Sequence, residues 1–165
     1  MSKYHFSKSR YCNGIQCPKM LWLKKNMPDE FDDSVMNQAI LSTGNDVGDL
    51  AMGLFGDYTE VPYSESLSEM IPATQKLIDD GVKNICEASF SYDGCFCSVD
   101  ILKNLGGNKV ELYEVKSSTE VKDIYKEDVS YQNFVLSKLG FDVQKVCLVH
   151  INNQYIRHGE LELDK

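Results

Sequence analysis

Nowhere does the chain hold an uninterrupted apolar run approaching the roughly 20 residues that span a bilayer. Its polar start, MSKYHFSKSR, lacks the apolar block of a secretory signal. A cytoplasmic protein is therefore expected. There is no Cys-x-x-Cys pair among the six cysteines Cys12, Cys17, Cys86, Cys95, Cys97 and Cys147, which speaks against a redox or metal-storage protein. Four of them fall in apolar, strand-like segments, where a reduced thiol packs as a small hydrophobe, so free thiols are expected. No repeat, low-complexity tract or internal linker interrupts the 165 residues, and 42% hydrophobic content suits one soluble domain.

The first 26 residues contain no acid. Lys3, Lys8, Arg10, Lys19, Lys24 and Lys25 give them +6, which leaves 11 bases against 25 acids, a net −14, on the other 139 residues. The overall −8 argues against a protein that coats nucleic acid by bulk charge. The basic end is either a solvated face or a surface that holds phosphates.

Helical signals dominate the first half. Ser7 or Ser9 suits a helix cap, and after Asn13-Gly14 the segment Gln16 to Lys25 reads as a second helix, with Trp22 expected to pack. Ser34 to Phe55 has helical apolar spacing (Val35, Met36, Ala39, Ile40, Val47, Leu50, Ala51, Leu54) despite Gly44 and Gly48. Ser66 to Asp80 reads as a helix stopped by Gly81, with Met70, Leu77 and Ile78 inward. Strand signals follow in Cys86 to Tyr92, Cys95 to Leu102 and Val110 to Val115, separated by Asp93-Gly94 and Gly106-Gly107-Asn108. A helix from Asp123 to Leu139, with Ile124, Val129, Phe134, Val135 and Leu139 on its apolar face, leads to a strand from Val143 to Ile151. A last strand is expected around Tyr155 and Ile156. This order predicts an α/β or α+β sandwich layered on one sheet, with 1–82 mainly helical and 83–165 forming the sheet and its helix.

An acid two residues before a lysine is a weak pattern, because 25 acids and 15 lysines produce about two instances by chance. Two occur. Glu120-Val121-Lys122 follows Ser117-Ser118-Thr119 and reads as a solvated turn. Glu114-Val115-Lys116 instead ends a strand in which Val110, Leu112, Glu114 and Lys116 share a face. Asp100 also lies in an apolar strand, where a carboxylate without a partner would be costly. If antiparallel pairing sets Asp100 beside Glu114, the two carboxylates and a backbone carbonyl such as that of Val115 offer the hard oxygen ligands that Mg²⁺ or Mn²⁺ accepts. Lys116 would then stabilise charge developing on a phosphate. A buried Asp-Lys or Glu-Lys pair held for structural reasons has the same spacing.

The ordered runs Cys86-Glu87-Ala88-Ser89-Phe90, Ser98-Val99-Asp100-Ile101-Leu102, Tyr113-Glu114-Val115-Lys116-Ser117-Ser118-Thr119 and Asp128-Val129-Ser130-Tyr131-Gln132 resemble the RecB-like and Cas4-like branch of the PD-(D/E)XK nucleases. The start Gly14-Ile15-Gln16-Cys17-Pro18-Lys19-Met20-Leu21-Trp22-Leu23 is similar to bacterial proteins carrying the domain of unknown function DUF2779. The resemblance implies a restriction-endonuclease-like core: a central mixed sheet flanked by helices, with a helical segment before it. It makes 1–165 one nuclease-like domain, the N-terminal part of a longer protein. It implies metal ligation by Asp100 and Glu114, a catalytic Lys116, and a Gln132 that positions the metal site or DNA. Glu87 matches an acidic position whose role is metal binding through water or orientation of Lys116; a surface glutamate fits as well. The implied substrate is DNA, single-stranded or with free ends, held by Lys8, Arg10, Lys19, Lys24 and Lys25 with Tyr131 nearby.

Two positions depart from that branch. Gly48 stands where an early helix often carries a metal-proximal histidine, and Leu136 where a tyrosine follows the glutamine. Asp46, Tyr131 or water are candidates to replace the missing groups, and a catalytically weak or inactive nucleic-acid-binding module is the alternative reading. Cys17 matches the first ligand of the [4Fe-4S] cluster of related nucleases, which needs four thiolates, so the cluster is implied only with a cysteine group beyond this chain.

Overall fold

The structure, a computed structural model, describes residues 6–30 and 35–165, with side chains described for all of these except residues 35–41. Lys3, Ser34 and the side chains of Val35, Met36, Ala39 and Ile40, assigned above from sequence, lie outside the described residues. The elements in order are β1 (Phe6–Ser7), α1 (Lys8–Gln16), α2 (Pro18–Asn26), α3 (Val35–Met52), β2 (Thr59–Glu60), α4 (Leu67–Asp79), β3 (Asn84–Tyr92), β4 (Cys95–Gly106), β5 (Lys109–Lys116), α5 (Asp123–Lys138) and β6 (Asp142–His150). Among the described residues no helix is long and apolar enough to cross a membrane.

Local chemistry accounts for several boundaries. The Ser7 hydroxyl accepts from the Arg10 amide at 3.3 Å and caps α1. That helix continues through Asn13 and Gly14, and the break falls at Cys17-Pro18, where proline opens α2 and Cys17 caps it, its Sγ accepting from the Met20 amide at 3.4 Å. A Cβ at Gly14 would come within 3.2 Å of the Leu21 side chain, so glycine there permits the close approach of α1 and α2. Asp93 and Gly94 both have positive φ, the geometry of a two-residue hairpin turn, and join β3 to β4.

The sheet runs β2-β3-β4-β5-β6, antiparallel at β3–β4 and β4–β5 and parallel at β2–β3 and β5–β6. This is the α+β arrangement on one sheet that the sequence pattern predicts, and the sheet is mixed and flanked by helices. One face carries the main core, where Ile85, Ala88, Phe90, Val99, Leu102, Val110 and Leu112 meet Met70 of α4 and Val129, Val135 and Leu136 of α5. The other face carries a smaller core of Cys86, Ile101 and Tyr113 against Ala51 of α3.

Two irregularities in this sheet create the site. On β3 the residues facing the main core step from Ile85 to Ala88, and on β4 from Val99 to Leu102, three positions rather than two. The extra residues are Glu87 and Asp100, which stand opposite one another between the Cys86–Ile101 and Ala88–Val99 pairs. Glu87 takes φ 55°, a left-handed conformation costly for a side-chain-bearing residue. β4 also changes partner here: Ile101 to Gly106 pair with β5, whereas Cys95 and Phe96 pair with β1. The fork opens at Asp100, and Lys8 is the residue that follows β1.

Three expectations need correction. Trp22 is 56% exposed, because α2 turns Met20, Leu21 and Leu23 inward and leaves Trp22 outside with Lys19 and Lys25. No strand forms at Tyr155 and Ile156; the Asn152 side chain accepts from the Gln154 amide and its carbonyl from the Tyr155 amide, which turns the chain after β6. On α5, Phe134 and Leu139 are exposed at 45% and 41%, and the buried stripe instead includes Asp128, Tyr131, Gln132 and Leu136.

Candidate functional site

Glu114 stands on the main-core face of β5 and is only 2% exposed. A carboxylate so buried is tolerated when its oxygens are hydrogen-bonded, and three donors supply this. Lys116, two residues on and on the same face, donates to Oε1 at 2.7 Å, Lys8 donates to the same oxygen at 2.8 Å, and Gln132 donates to Oε2 at 2.6 Å. Asp128, one helical turn before Gln132 on α5, closes the ring: it accepts from Lys116 at 2.6 Å and from Gln132 at 2.8 Å, with the Lys8 ammonium 3.6 Å away. Lys116 also lies 5.4 Å from the Tyr125 ring centre.

Asp100 is one residue past the Ile101–Tyr113 pair, which sets it opposite Glu114, as antiparallel pairing predicts. Its Oδ2 accepts from the Val115 amide at 2.7 Å. Glu87 accepts from the Ser98 hydroxyl at 3.0 Å. Glu87, Asp100 and Val115 line a cleft of about 230 Å³ whose far wall is α3, through Gly44, Asn45, Gly48, Asp49 and Met52. The cleft-lining acid of α3 is therefore Asp49; Asp46 is exposed and does not line it. A Cβ on Gly48 would meet nothing within 4 Å, so that wall is open.

Charge sets the behaviour of the cluster. Burial pushes Glu114 above the ordinary carboxylate range, and Asp100 adds to this against the pull of Lys8 and Lys116. Burial likewise raises Asp100 and Glu87, opposed by Lys8 and the Val115 amide at Asp100 and by the Ser98 hydroxyl at Glu87. Asp128 goes the other way: burial is outweighed by Lys8, Lys116 and their hydrogen bonds, and its pKa is lowered. Both lysines resist burial, which alone would lower them, and are held above the ordinary value, Lys8 by Glu114, Asp100 and Asp128 and Lys116 by Glu114 and Asp128. With all four carboxylates ionised, they face two ammonium groups, a formal excess of two negative charges.

That excess equals the charge of one divalent cation, and carboxylate oxygens are the donors such a hard ion takes. Asp100 and Glu114, with Glu87 and the Val115 backbone beside them, fit this ion by donor chemistry. As the side chains stand, no three His, Cys, Asp or Glu among the described residues are grouped to hold a metal. At Glu114, Oε1 already accepts from Lys8 and Lys116, and Oε2 from Gln132.

Asp100, Glu114, Lys116 and Gln132 therefore come together, with Glu87 at the edge of the cleft. Sequence reasoning missed Asp128, although an Asp and a Gln four apart on an apolar helix face carry a signal. It also placed Lys8 outside the site as a phosphate contact, whereas the short parallel β1–β4 pairing carries it inside. Tyr131 is buried rather than available to a ligand; its hydroxyl donates to the Phe6 carbonyl at 2.6 Å and its ring stacks on Tyr11 at 5.0 Å. Leu136, in place of a tyrosine, is fully buried in the main core. Arg10, Lys19, Lys24 and Lys25 are exposed on α1 and α2. All six cysteines are free; burial pushes Cys86 and Cys97 up to about 12, and exposed Cys17 serves α2 as its cap. Glu120 and Lys122 lie in an exposed turn, as expected.

No protein-family model matches the chain, and no curated protein matches it.

Proposed function

We propose that the chain is a Mg²⁺- or Mn²⁺-dependent nuclease of the PD-(D/E)XK type, acting in the cytoplasm on DNA that is single-stranded or has free ends. The observation that carries this reading is the ring of Lys8, Glu114, Lys116, Asp128 and Gln132 at the fork of the sheet with Asp100 and Glu87 beside it, four carboxylates against two ammonium groups. When bound at Asp100 and Glu114, the divalent ion supplies positive charge against a phosphate and acidifies a water. Lys116 offers an ammonium, held charged by Glu114 and Asp128, to oxyanions that develop on phosphorus. Gln132 fixes the carboxylates of Glu114 and Asp128 relative to one another. The exposed Trp22, with Lys19 and Lys25 about one helical turn to either side, suits an unstacked base between two phosphates.

Cleavage of labelled single- and double-stranded DNA with Mg²⁺ or Mn²⁺ tests the reading, with Asp100→Ala and Lys116→Ala as controls. Equal cleavage by all three proteins would assign the activity to a contaminant. One observation favours an inactive nucleic-acid-binding module: the oxygens of Glu114 are already engaged and Gly48 brings no ligand. Mn²⁺ calorimetry separates the two, since heat abolished by Glu114→Ala supports the nuclease and DNA binding without metal affinity supports the module.

A further inference from the structure

We propose that Lys8 is a displaceable resident cation: it and the divalent ion exclude one another at Glu114, so that loading the metal releases helix α1 from the site. This rests on the metal-dependent reading above.

Oε1 of Glu114 cannot take a metal without losing a donor, because its two lone pairs already accept from Lys8 and Lys116, while Oε2 accepts from Gln132 on the buried side. The three donors are not equally held. Gln132 is fully buried and bonds two carboxylates at once. Lys116 extends from a strand paired on both sides and is clamped between Glu114 and Asp128 by contacts of 2.7 and 2.6 Å. Lys8 makes one short contact, at 2.8 Å, and its second carboxylate is 3.6 Å away.

The backbone before Lys8 is paired over a short stretch, with the Phe6 carbonyl also accepting from the Tyr131 hydroxyl at 2.6 Å. β1 is only two residues long and meets β4 through the register pairs Phe6–Cys95 and Ser7–Phe96. Beyond Lys8 itself, α1 is held on α5 by the Tyr11 hydroxyl, 2.8 Å from Glu127, and by the stacking of Tyr11 on Tyr131. Neither contact involves Glu114. A doubly charged ion arriving between Asp100 and Glu114 would repel an ammonium lying on the same oxygen, and the group with the fewest ties leaves.

The consequence is a linkage: a metal that must displace Lys8 binds more weakly by the fraction of molecules in which Lys8 is already out, so seating in nine of ten molecules weakens the apparent affinity about tenfold. Amide hydrogen exchange on the whole chain, with and without saturating Mn²⁺, reads the release directly. The expected result is faster exchange in residues 8–16 on metal addition, with slower exchange around Asp100 and Glu114. Calorimetry on Lys8→Met should show Mn²⁺ binding tightened about tenfold, with no further metal-induced change in the exchange of α1. Because loss of a positive charge tightens metal binding by itself, the exchange of wild-type α1 decides. Exchange in 8–16 that stays constant or slows, while calorimetry records Mn²⁺ binding, would overturn the displacement and leave the nuclease reading standing. Absence of Mn²⁺ binding in both proteins would remove both.

Discussion

Lys116 donates to Asp128 at 2.6 Å, tying the last residue of β5 to the second turn of α5. Asp128→Asn keeps the shape of this contact and removes its charge. Burial lowers the Lys116 ammonium, and Glu114 with Asp128 more than restores it, so the variant's pKa should fall. A step that needs charged Lys116 runs below that pKa and is lost above it. The alkaline limb of the pH–rate profile should therefore move to lower pH, and NMR of the metal-free protein should show Lys116 titrating earlier. An unmoved limb would mean that Asp128 does not sustain the charge.

Gln132 holds two buried carboxylates with one amide, and Gln132→Ala leaves both short of a donor in a site without water access from the core side. The expected cost is about 2–3 kcal/mol, and a melting temperature lower by about 5–10 °C in a chain of this size. Thermal denaturation checks this. A change below about 1 °C would show that the amide is not needed to satisfy the pair.

Asp100, Glu114 and Lys116 were visible because a charge in an apolar strand breaks a period-two pattern that one chain segment displays alone. Gln132 was reached only through resemblance. Asp128 was overlooked because Phe134 and Leu139 suggested an apolar face rotated from the one that packs, and exposed aromatics mislead a helical count. Lys8 was out of reach for a different reason: a two-residue parallel pairing between β1 and β4, nearly 90 positions apart in sequence, brings it to Glu114. The β3–β4–β5 meander is legible from its turns, and the face switch at Glu87 and Asp100 is not.

Trp22 contributes exposed apolar surface and little packing, so Trp22→Ala should leave the melting temperature nearly unchanged. Binding of single-stranded DNA should weaken by about 1–3 kcal/mol, the range for one base stacked on an aromatic ring. Lys19→Ala and Lys25→Ala should each lower the slope of log affinity against log salt by roughly 0.7 for a single strand. Fluorescence titration at several salt concentrations measures both, and wild-type slopes in the lysine variants would place the strand elsewhere.

Gly48 lines the cleft opposite Asp100 and Glu87, with open space where a side chain would begin. Gly48→Ala should stabilise the protein by about 0.5–1 kcal/mol, since glycine within a helix costs that much relative to alanine. Gly48→His should tighten Mn²⁺ binding by directing an imidazole into the cleft. Calorimetry would show weaker or unaltered binding if the ion sits away from this wall.

The central claim is a divalent-ion site shared by Asp100 and Glu114 that hydrolyses DNA with the help of Lys116. Its most direct test is Mn²⁺-dependent cleavage of end-labelled single-stranded DNA by the wild type, Asp100→Asn, Glu114→Gln and Lys116→Met, all confirmed as folded. The prediction is cleavage by the wild type that chelation abolishes, and a loss of about a hundredfold or more in each variant. Cleavage that persists undiminished in the folded Glu114→Gln and Asp100→Asn proteins would contradict it.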